Sequence, residues 1–568
     1  MTKACESFAR SAAEQLIEHK VASRIFAKDA SLYDFSEAAQ ACARDFMGWA
    51  DLATNPPYSI EAIQEFADAV VAEGIETVVL IGQGGSTQAP MTITKYNKLD
   101  RNRVDFKTID SDSPIRFRGI FADLNPRTTL FLVSSKSGTT LEPQEALFVV
   151  KKLMAQVMPQ EEIPSHLVAV TDPNSSLAQQ AIEEGWRAVF YGEPSVGGRY
   201  SAMSVFGLLP AALVGIPLDE LMEQARAAER ACSVDALNNP AIVLAAFLYG
   251  NYMVGRDKFS FLSPKRGRVL GLWIEQLVAE SLGKDGQGIL PNIEVDSLLL
   301  CKDPGDRCVI MYETKNDLAD ETVNFLQSLN YIDPTIPQLR FKIDSVEEVA
   351  MHFIMWEYAI AMCGYLMNVC PFDQPDVASA KAAVLTILQE GTPKPQISEN
   401  SLFGVPMGTV ETSYSAAVGA AGTGLQEVLR ALMRGIRPGD YFGLLAFLPF
   451  TGEGRREALE NIRHDVANQC GIPSCLEVGP RYLHSTGQLH KGGPNKGVFL
   501  IVSAEELSDI EADERAGSMG SLAKAQAAGD FVTLAQRGRR CVHVHLPDNT
   551  EVTLRALERM VNKALNER

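Results

Sequence analysis

Short apolar runs alternate with amphipathic segments through the first half of the chain. Strands are predicted at 77–81, 104–109, 128–133, 167–170 and 188–191, with helical patterns between most of them. Alternation of this kind is typical of a parallel sheet covered by helices on both faces. Residues 1 to about 70 carry helical patterns with a break at Pro56-Pro57.

A second alternation begins near residue 259, and a third lies beyond residue 410. The second has strands at 259–262 and 308–312 and helices at 269–282 and 346–367; the third has strands at 442–447, 498–502 and 541–545 and a last helix at 552–565. Residues 390–410, rich in Pro, Gly, Ser and Asn, are the best linker candidate. The predicted fold class is α/β: two parallel-sheet lobes, 71–230 and 231–395, an N-terminal helical segment, 1–70, and a C-terminal α/β unit, 396–568.

Composition and charge exclude several classes of partner. The 568 residues are 46% hydrophobic and 22% charged, as in ordinary globular proteins, and the net charge is -19. That charge argues against nucleic-acid and anionic-membrane partners. The first twenty residues carry acids and no apolar run, and the apolar stretch 205–216 is too short to span a bilayer. A soluble cytoplasmic protein is predicted, and a homo-oligomer is left open.

The ten cysteines are scattered through the chain. No C-x-x-C pair and no neighbouring histidine suggests a zinc site, and the spacings do not form a disulfide framework. We therefore expect reduced thiols.

A hydroxyl-rich turn, 134–140, follows the apolar run 129–133 and precedes the helical segment 142–154. Such a turn gathers hydroxyls, backbone N–H groups and the positive end of a helix dipole around one point, where a phosphate can bind. The run lacks the pattern of a nucleotide-triphosphate loop. The alternative is a polar turn with an N-cap.

The first strand ends in a glycine-rich turn, 82–87, which also lets backbone N–H groups approach an anion. A dinucleotide site is one interpretation, with Asp110 as the ribose-binding acid. However, Thr87 stands where Gly or Ala is usual, and Asp110 lies farther along the chain than the typical ~20 residues. A sugar-phosphate pocket at the carboxyl edge of the sheet fits both turns better.

Three further segments carry candidate chemistry. Arg199 follows two glycines and could brace an anion, although a surface arginine on a turn is the simpler alternative. Glu280 lies at a helix end before a glycine, where partial burial could raise its pKa for proton transfer; a solvated carboxylate is commoner. Gln374 and Lys381 would share one face if their segment is helical.

These motifs, in this order, resemble the glucose-6-phosphate isomerase (phosphoglucose isomerase) family of the sugar isomerase (SIS) superfamily. The resemblance rests on Gly-Gly-Ser at 84–86, Ser-Ser-Lys-Ser-Gly-Thr-Thr at 134–140, Gly-Gly-Arg-Tyr-Ser at 197–201, Glu-Ser-Leu-Gly-Lys at 280–284 and Phe-Asp-Gln-Pro at 372–375. Segments 24–29 and 481–494 are similar to the isomerase part of bifunctional transaldolase/glucose-6-phosphate isomerase proteins.

The resemblance implies two SIS-type lobes and aldose–ketose isomerisation of a hexose 6-phosphate through a cis-enediol(ate), in glycolysis and gluconeogenesis. It implies Glu280 as the base, Arg199 at the enediolate oxygen and Lys381 assisting ring opening. It implies that the following residues contact substrate: Gly85, Ser86, Ser135, Lys136, Ser137, Thr140 and Gln374. Acid–base chemistry with fixed cations needs no metal and no cofactor, so neither is expected.

The family's ring-opening histidine normally lies between the base and the Phe-Asp-Gln segment. Here that interval holds only His352, in an apolar helix where a core position is the simpler interpretation, so His484 and His490 of the third unit are the alternatives. Two other functions stay open: a related isomerase of mannose 6-phosphate or an amino sugar phosphate, and a non-catalytic SIS-domain sensor of sugar phosphates.

Overall fold

The computed structural model describes residues 3–97, 103–293, 297–314, 329–419, 423–449 and 452–568. The strands in this part of the chain are β1 Thr77–Gly82, β2 Asp105–Ile109, β3 Thr129–Ser134, β4 Leu167–Thr171, β5 Ala188–Tyr191, β6 Lys258–Leu262, β7 Leu290–Asn292, β8 Arg307–Thr314, β9 Gln338–Ile343, β10 Ile397–Leu402, β11 Val405–Tyr414, β12 Tyr441–Phe447, β13 Ser474–Val478, β14 Gly497–Ala504 and β15 Arg540–Leu546. The α-helices are Lys3–Glu18, Val21–Phe26, Glu37–Phe46, Ile60–Ala72, Gly85–Tyr96, Pro114–Ala122, Leu141–Met154, Ser176–Glu183, Val205–Leu213, Leu218–Cys232, Pro240–Met253, Arg268–Leu282, Val349–Met367, Pro375–Glu390, Leu425–Arg434, Glu453–Cys470, Gly487–Gly492, Met519–Gln536 and Glu551–Asn566.

The first sheet is parallel, with strand order β2-β1-β3-β4-β5. Its β3 strand is buried along its whole length, which explains why its sequence is a continuous apolar run. The β1–β3 register places Gly82 opposite Ser134. The glycine-rich turn and the hydroxyl-rich turn therefore leave the same edge of the sheet side by side.

The second sheet is also parallel, with strand order β7-β6-β8-β9. The Val349–Met367 helix beside it is long and apolar enough to cross a membrane by length and composition. However, 83% of its most apolar window is buried inside the protein. It packs against the Pro240–Met253 and Arg268–Leu282 helices, as the core helix of a globular protein does.

The third sheet has the order β10-β11-β15-β14-β12-β13. Its four strands β12–β15 are parallel, and an antiparallel hairpin, β10–β11, extends it. The α/β class with two parallel-sheet lobes and a third C-terminal α/β unit is confirmed. Each sheet lies inside one predicted range, and we keep 71–230, 231–395 and 396–568 as proposed domain bounds.

The predicted linker at 390–410 is wrong for most of its length, because residues 397–410 form the hairpin. Phe403 and Gly404, both with positive φ, make its two-residue turn. The turn residues and polar edge-strand residues that suggested a linker are what an edge hairpin requires.

Strand β13 was not predicted, since its short run with Ser474 and Glu477 has little apolar character.

The three units share apolar contacts. Ala279 and Leu290 of the second lobe belong to one cluster with Phe447, Tyr482 and Leu489 of the third unit. In the first lobe, the helices around β3 share a cluster with residues 512–522 of the third unit. The N-terminal Lys3–Glu18 helix packs on the Pro240–Met253 helix. The third unit therefore closes one side of the space between the two lobes.

Candidate active site

A cleft of about 610 Å³ opens at the carboxyl edge of the first sheet, between the two lobes and the third unit. The cleft is lined by the turns after β1, β3 and β4, by the Arg268–Leu282 helix and by residues 372–375. Eleven of the twelve predicted site residues line it: Gly85, Ser86, Ser135, Lys136, Ser137, Thr140, Arg199, Glu280, Gln374, Lys381 and His484. Parallel sheets place ligands at this edge.

Several polar atoms of the cleft wall have no partner within the described part of the chain. They are the Oγ atoms of Ser134 and Ser135 and the Oε1 atoms of Gln83 and Gln276, all buried. A buried polar atom without a hydrogen bond costs free energy. The cleft is therefore built to receive a polar molecule.

The hydroxyl-rich turn ends at the N-terminus of the Leu141–Met154 helix. Thr140 is the N-cap residue, yet its side chain makes no capping hydrogen bond to the helix. The first backbone N–H groups of a helix lack intrahelical acceptors, and the helix dipole favours negative charge there. Gly138, with φ 69°, lets the turn close against Leu177. These features together form a cradle for an anionic group.

Lys136 is held by the protein rather than free in the cradle. Its Nζ donates to Asp172 Oδ1 and Oδ2, at 2.7 and 2.6 Å, and to the Glu193 carbonyl at 2.9 Å. Burial lowers the pKa of this lysine although Asp172 opposes that shift. The donors of the cradle are thus mainly hydroxyl and backbone groups.

Two glycines of the β1 turn allow a close approach of backbones. A Cβ on Gly85 would lie 1.9 Å from the Gly198 carbonyl oxygen, so only glycine fits against the turn that carries Arg199. Gly84 has φ 55°, and a Cβ there would lie 3.1 Å from the Cβ of His484. The turn therefore brings Arg199 and His484 to the same cleft.

Arg199 is 2% exposed and hydrogen-bonded through its whole guanidinium group. Its Nε donates to Ser281 Oγ at 2.8 Å, and its Nη2 donates to the carbonyls of Pro371 and Asp373 at 2.6 and 3.0 Å. Its Nη1 donates to Gln374 Oε1 at 2.7 Å. The cation is fixed in place without needing a ligand.

Glu280 lies beside that cation, in the last turn of the Arg268–Leu282 helix. Its Oε2 lies 3.5 Å from Arg199 Nη1 and accepts a hydrogen bond from Gln276 Nε2 at 3.3 Å. Burial raises the pKa of the carboxyl above its ordinary value, although the charges of Arg199 and His484 oppose the rise. A carboxylate of this kind binds a proton more readily than a solvated one and can act as a general base.

His484 closes a short 3₁₀ turn, Arg481–His484, and reaches the cleft from the third unit. Its Nε2 lies 3.0 Å from Glu142 Oε1, which also accepts a hydrogen bond from Gln526 at 2.9 Å. Burial alone would raise the pKa of Glu142, but the charge and hydrogen bond of His484 bring it below its ordinary value. The carboxylate therefore orients the imidazole.

His490 is the predicted site residue that does not line the cleft. It is 1% exposed, its Nδ1 lies 3.0 Å from the Tyr441 hydroxyl, and its ring packs against Phe499. Burial brings its pKa well below the ordinary value. The prediction of His490 as a site residue is not supported by this placement, because a neutral imidazole in an apolar core is cut off from substrate.

His352 packs edge-on against the rings of Tyr312 and Phe341, with Nδ1 3.1 Å from the Tyr312 hydroxyl. This is the core position that the sequence favours. Asp110, considered as a ribose-binding acid, pairs with Arg116 and Arg481 at a different cavity.

The helix that carries Lys381, Pro375–Glu390, starts directly after Gln374. Its first turn is held by Gln488 of the third unit, whose Oε1 accepts from the Asp376 N–H at 3.0 Å. The Gln488 Nε2 donates to the Gly283 carbonyl at 3.1 Å and to Asp376 Oδ2 at 2.8 Å. One buried side chain thus links the end of the Glu280 helix to the start of the Lys381 helix.

Sequence reasoning missed Glu142, Gln276, Phe46 and Asp172, which line or support the cleft. Glu142 carried a signal, since an acid in the first turn after a hydroxyl-rich loop stands at the same helix N-terminus. No signal in the sequence places Phe46 at the cleft, because its position depends on how the N-terminal helices pack.

The architecture and site define a sugar isomerase (SIS)-type fold. In solved structures, the chain is similar to a hypothetical protein from Thermus thermophilus, with TM-score 0.56 and 24% identity over 66% of this chain and 96% of that one. It is also similar to a glucose-6-phosphate isomerase from Chlamydia trachomatis, with TM-score 0.52 and 18% identity over 68% of this chain and 86% of that one. These likenesses concern the fold.

The family model of phosphoglucose isomerase matches residues 63–289. Curated relatives include glucose-6-phosphate isomerases of Mycoplasmopsis pulmonis, 29% identical over 61% of this chain and 91% of that protein, and of Enterococcus faecalis, 29% identical over 61% and 87%. Residues 63–289 of this chain are therefore similar to a phosphoglucose isomerase domain. More than a third of the chain lies outside each of these alignments.

Proposed function

We propose that this chain interconverts glucose 6-phosphate and fructose 6-phosphate through a cis-enediol(ate). The observation that carries the proposal is the juxtaposition of Glu280 and Arg199, 3.5 Å apart and both buried, in the cleft that contains the phosphate cradle. A base and a fixed cation side by side are what proton transfer next to a carbonyl requires.

The phosphate binds first in this scheme. Ser135, Ser137 and Thr140 donate hydrogen bonds to its oxygens, and the uncapped N-terminus of the Leu141–Met154 helix supplies backbone N–H groups. Gly85 and Ser86 line the sugar, while Lys136, paired with Asp172, lines the cleft beside the phosphate cradle. The phosphate thereby fixes the reacting carbons relative to Glu280.

Ring opening is assigned to His484 and Lys381. A cyclic hexose phosphate opens when the ring oxygen gains a proton and the anomeric hydroxyl loses one. His484 lines the cleft and is oriented by Glu142, so the imidazole can transfer a proton at the ring oxygen. Lys381 lines the same part of the cleft and supports this step electrostatically.

Isomerisation follows on the open-chain sugar. Glu280 takes the proton from C2, the carbonyl at C1 gains electron density, and an enediol(ate) forms. The same carboxyl returns the proton to C1 while the hydroxyl proton of O2 is transferred to O1, which leaves a hydroxyl at C1 and a carbonyl at C2. Arg199 stabilises the oxyanion, and its Nη1 exchanges the Gln374 contact for substrate oxygen.

The test is a coupled assay on the purified full chain with fructose 6-phosphate, in which glucose 6-phosphate is oxidised by a dehydrogenase that reduces NADP⁺. We expect turnover at neutral pH in the presence of EDTA. Tight binding of a sugar phosphate without turnover would instead indicate a sensor. Turnover only with mannose 6-phosphate or an amino sugar phosphate would change the substrate assignment and keep the reaction type.

We further propose that the enzyme works in the cytoplasm, in glycolysis and gluconeogenesis. The support is the identity of the curated relatives and the anionic substrate that the cleft fits.

A further inference from the structure

Three groups capable of binding a metal ion meet at the edge of the cleft. Cys42 comes from the Glu37–Phe46 helix, Cys370 follows the Val349–Met367 helix, and Asp373 lies in the loop before Gln374. Their two sulfur atoms and a carboxylate oxygen all lie within 4.8 Å of one another. Cys42 lies more than 300 positions before Cys370 and Asp373, so no sequence spacing reveals the cluster.

We propose that Cys42, Cys370 and Asp373 form a binding site for Zn²⁺, and that metal binding there inhibits the enzyme. The site plays no part in the reaction itself. The inhibition rests on the proposed function, whereas the binding of the metal does not.

The donor set matches the chemistry of this ion. Two thiolates and one carboxylate suit Zn²⁺, which binds sulfur at ~2.3 Å in tetrahedral geometry, with ligand sulfurs then ~3.8 Å apart. Closing the observed separations to these values requires shifts of about 1 Å or less. Both thiol protons are released to solvent on binding.

The exposure of two of these three residues to solvent also favours a Zn²⁺ site. Cys370 is buried, while Cys42 and Asp373 are partly exposed, so the ion has a route in from solvent. Asp373 lines the cleft. Three protein ligands leave the fourth tetrahedral position open toward the cleft for water.

The proposed inhibition follows from the hydrogen bonds that residues 370–373 accept from Lys284 and Arg199. Lys284 Nζ donates to the Asp373 carboxylate at 2.6 Å and to the carbonyls of Cys370 and Asp373 at 2.7 and 2.5 Å. Arg199 Nη2 donates to the carbonyls of Pro371 and Asp373. A metal that draws Cys370 and Asp373 toward Cys42 competes with Lys284 and displaces the carbonyls that fix Arg199.

Cobalt titration tests the binding without reference to activity. The full chain, reduced with a phosphine and stripped of metal, is titrated with Co²⁺ and then with Zn²⁺. We expect one equivalent of Co²⁺ to give the near-ultraviolet charge-transfer absorption of cobalt–thiolate bonds and Zn²⁺ to abolish it. Cys42→Ser should weaken Zn²⁺ affinity at least about 100-fold. Cys301→Ser, which removes an exposed thiol elsewhere, should bind as wild type does.

Activity is measured on the same samples. Zn²⁺ should inhibit wild type and Cys301→Ser reversibly on addition of EDTA, while Cys42→Ser should resist. Thermal unfolding verifies that Cys42→Ser is folded, and Cys42→Ala provides a second test. Cobalt–thiolate absorption that persists in both Cys42 variants, or its absence from wild type, would overturn the site. A normal cobalt spectrum with no isomerase activity would overturn the proposed function and leave the site standing.

Discussion

At the residue scale, the proposed chemistry depends most on the Glu280 carboxyl. Glu280→Gln keeps the shape of the side chain and the hydrogen bond from Gln276 but cannot accept a proton. Since general-base catalysis contributes ~10²–10⁴-fold, we expect kcat to fall by at least about 100-fold. Binding of a non-reacting sugar phosphate, measured by calorimetry, should stay close to that of wild type. A near-normal kcat would show that another group is the base.

The pKa of Glu280 leads to a prediction about pH. The base works only when ionised, and burial raises its pKa above the ordinary value of 4.5. The acidic limb of kcat/KM should therefore lie above pH 4.5, with activity lost as pH falls through the raised pKa. A profile that stays flat below pH 4.5 would contradict this.

The pH dependence of the free energy of unfolding provides a control for this prediction, because the folded state favours the protonated form of Glu280. The contribution of Glu280 to the free energy of unfolding is fully present below its ordinary pKa and is lost as pH rises through the raised pKa. Glu280→Gln removes that dependence. Wild type should therefore lose stability relative to the variant as pH rises through this range, as measured by denaturant unfolding.

His484 and His490 form a matched pair for testing ring opening. His484→Gln should lower kcat on cyclic glucose 6-phosphate by about 100-fold or more. Hydrogen exchange at C2 of a tetrose 4-phosphate, which cannot close a ring, should stay near the wild-type rate when followed by NMR in D₂O.

His490→Gln should lower the melting temperature, because the variant loses core packing against Phe499, and it should affect both substrates equally. Selective loss on the cyclic substrate in His490→Gln, with none in His484→Gln, would reverse the assignment.

The sequence could not separate these two histidines. They are six residues apart in a segment rich in Gly, and the chain passes from a 3₁₀ turn that ends at His484 into a helix that begins at Gly487. That change of direction sends one imidazole to the cleft and the other to the core. By contrast, the hydroxyls of 134–140 were placed at the cleft because a strand and a helix flank them in sequence.

At the element scale, the contact between the β1 turn and the Gly198 turn sets the position of Arg199. Gly85→Ala would place its methyl group 1.9 Å from the Gly198 carbonyl oxygen, so one turn has to move. Displacements of ~1 Å in a catalytic arrangement can cost about 100-fold in rate, and we expect a loss of kcat/KM of that order.

Gly119→Ala is the matched control for this substitution. Gly119 is exposed in the Pro114–Ala122 helix, and a Cβ there meets no described atom within 4 Å. Alanine should stabilise that helix by ~0.5–1 kcal/mol without changing activity. Equal kcat/KM values for Gly85→Ala and wild type would show that the turn contact does not position Arg199.

Most elements of the two lobes were predictable because buried parallel strands have continuous apolar sequences. The β10–β11 hairpin was not, since its strands lie at a sheet edge and carry polar residues such as Ser398 and Glu399. An edge strand is stabilised by backbone pairing with its neighbour, and that pairing leaves little trace in the sequence.

At the scale of the whole molecule, the third unit contributes His484 to the lining of the cleft. A chain that ends at residue 395 lacks His484 and Gln488 and exposes apolar side chains such as Ala279 and Leu290. We expect it to aggregate on size-exclusion chromatography and to have no activity on cyclic glucose 6-phosphate. A soluble, fully active truncated protein would show that the unit is dispensable.

The contact between Glu142 and His484 spans 342 positions of the chain. At synthesis rates of ~5–20 residues per second, about 20–70 s separate the emergence of the two residues from the ribosome. During that interval the first lobe can form its sheet. The Glu142 carboxylate, which is buried in the full chain, then lacks the hydrogen bond to His484. The proposed ring-opening step would therefore be gained only when translation is nearly complete, and a chain interrupted before His484 would not turn over cyclic substrate.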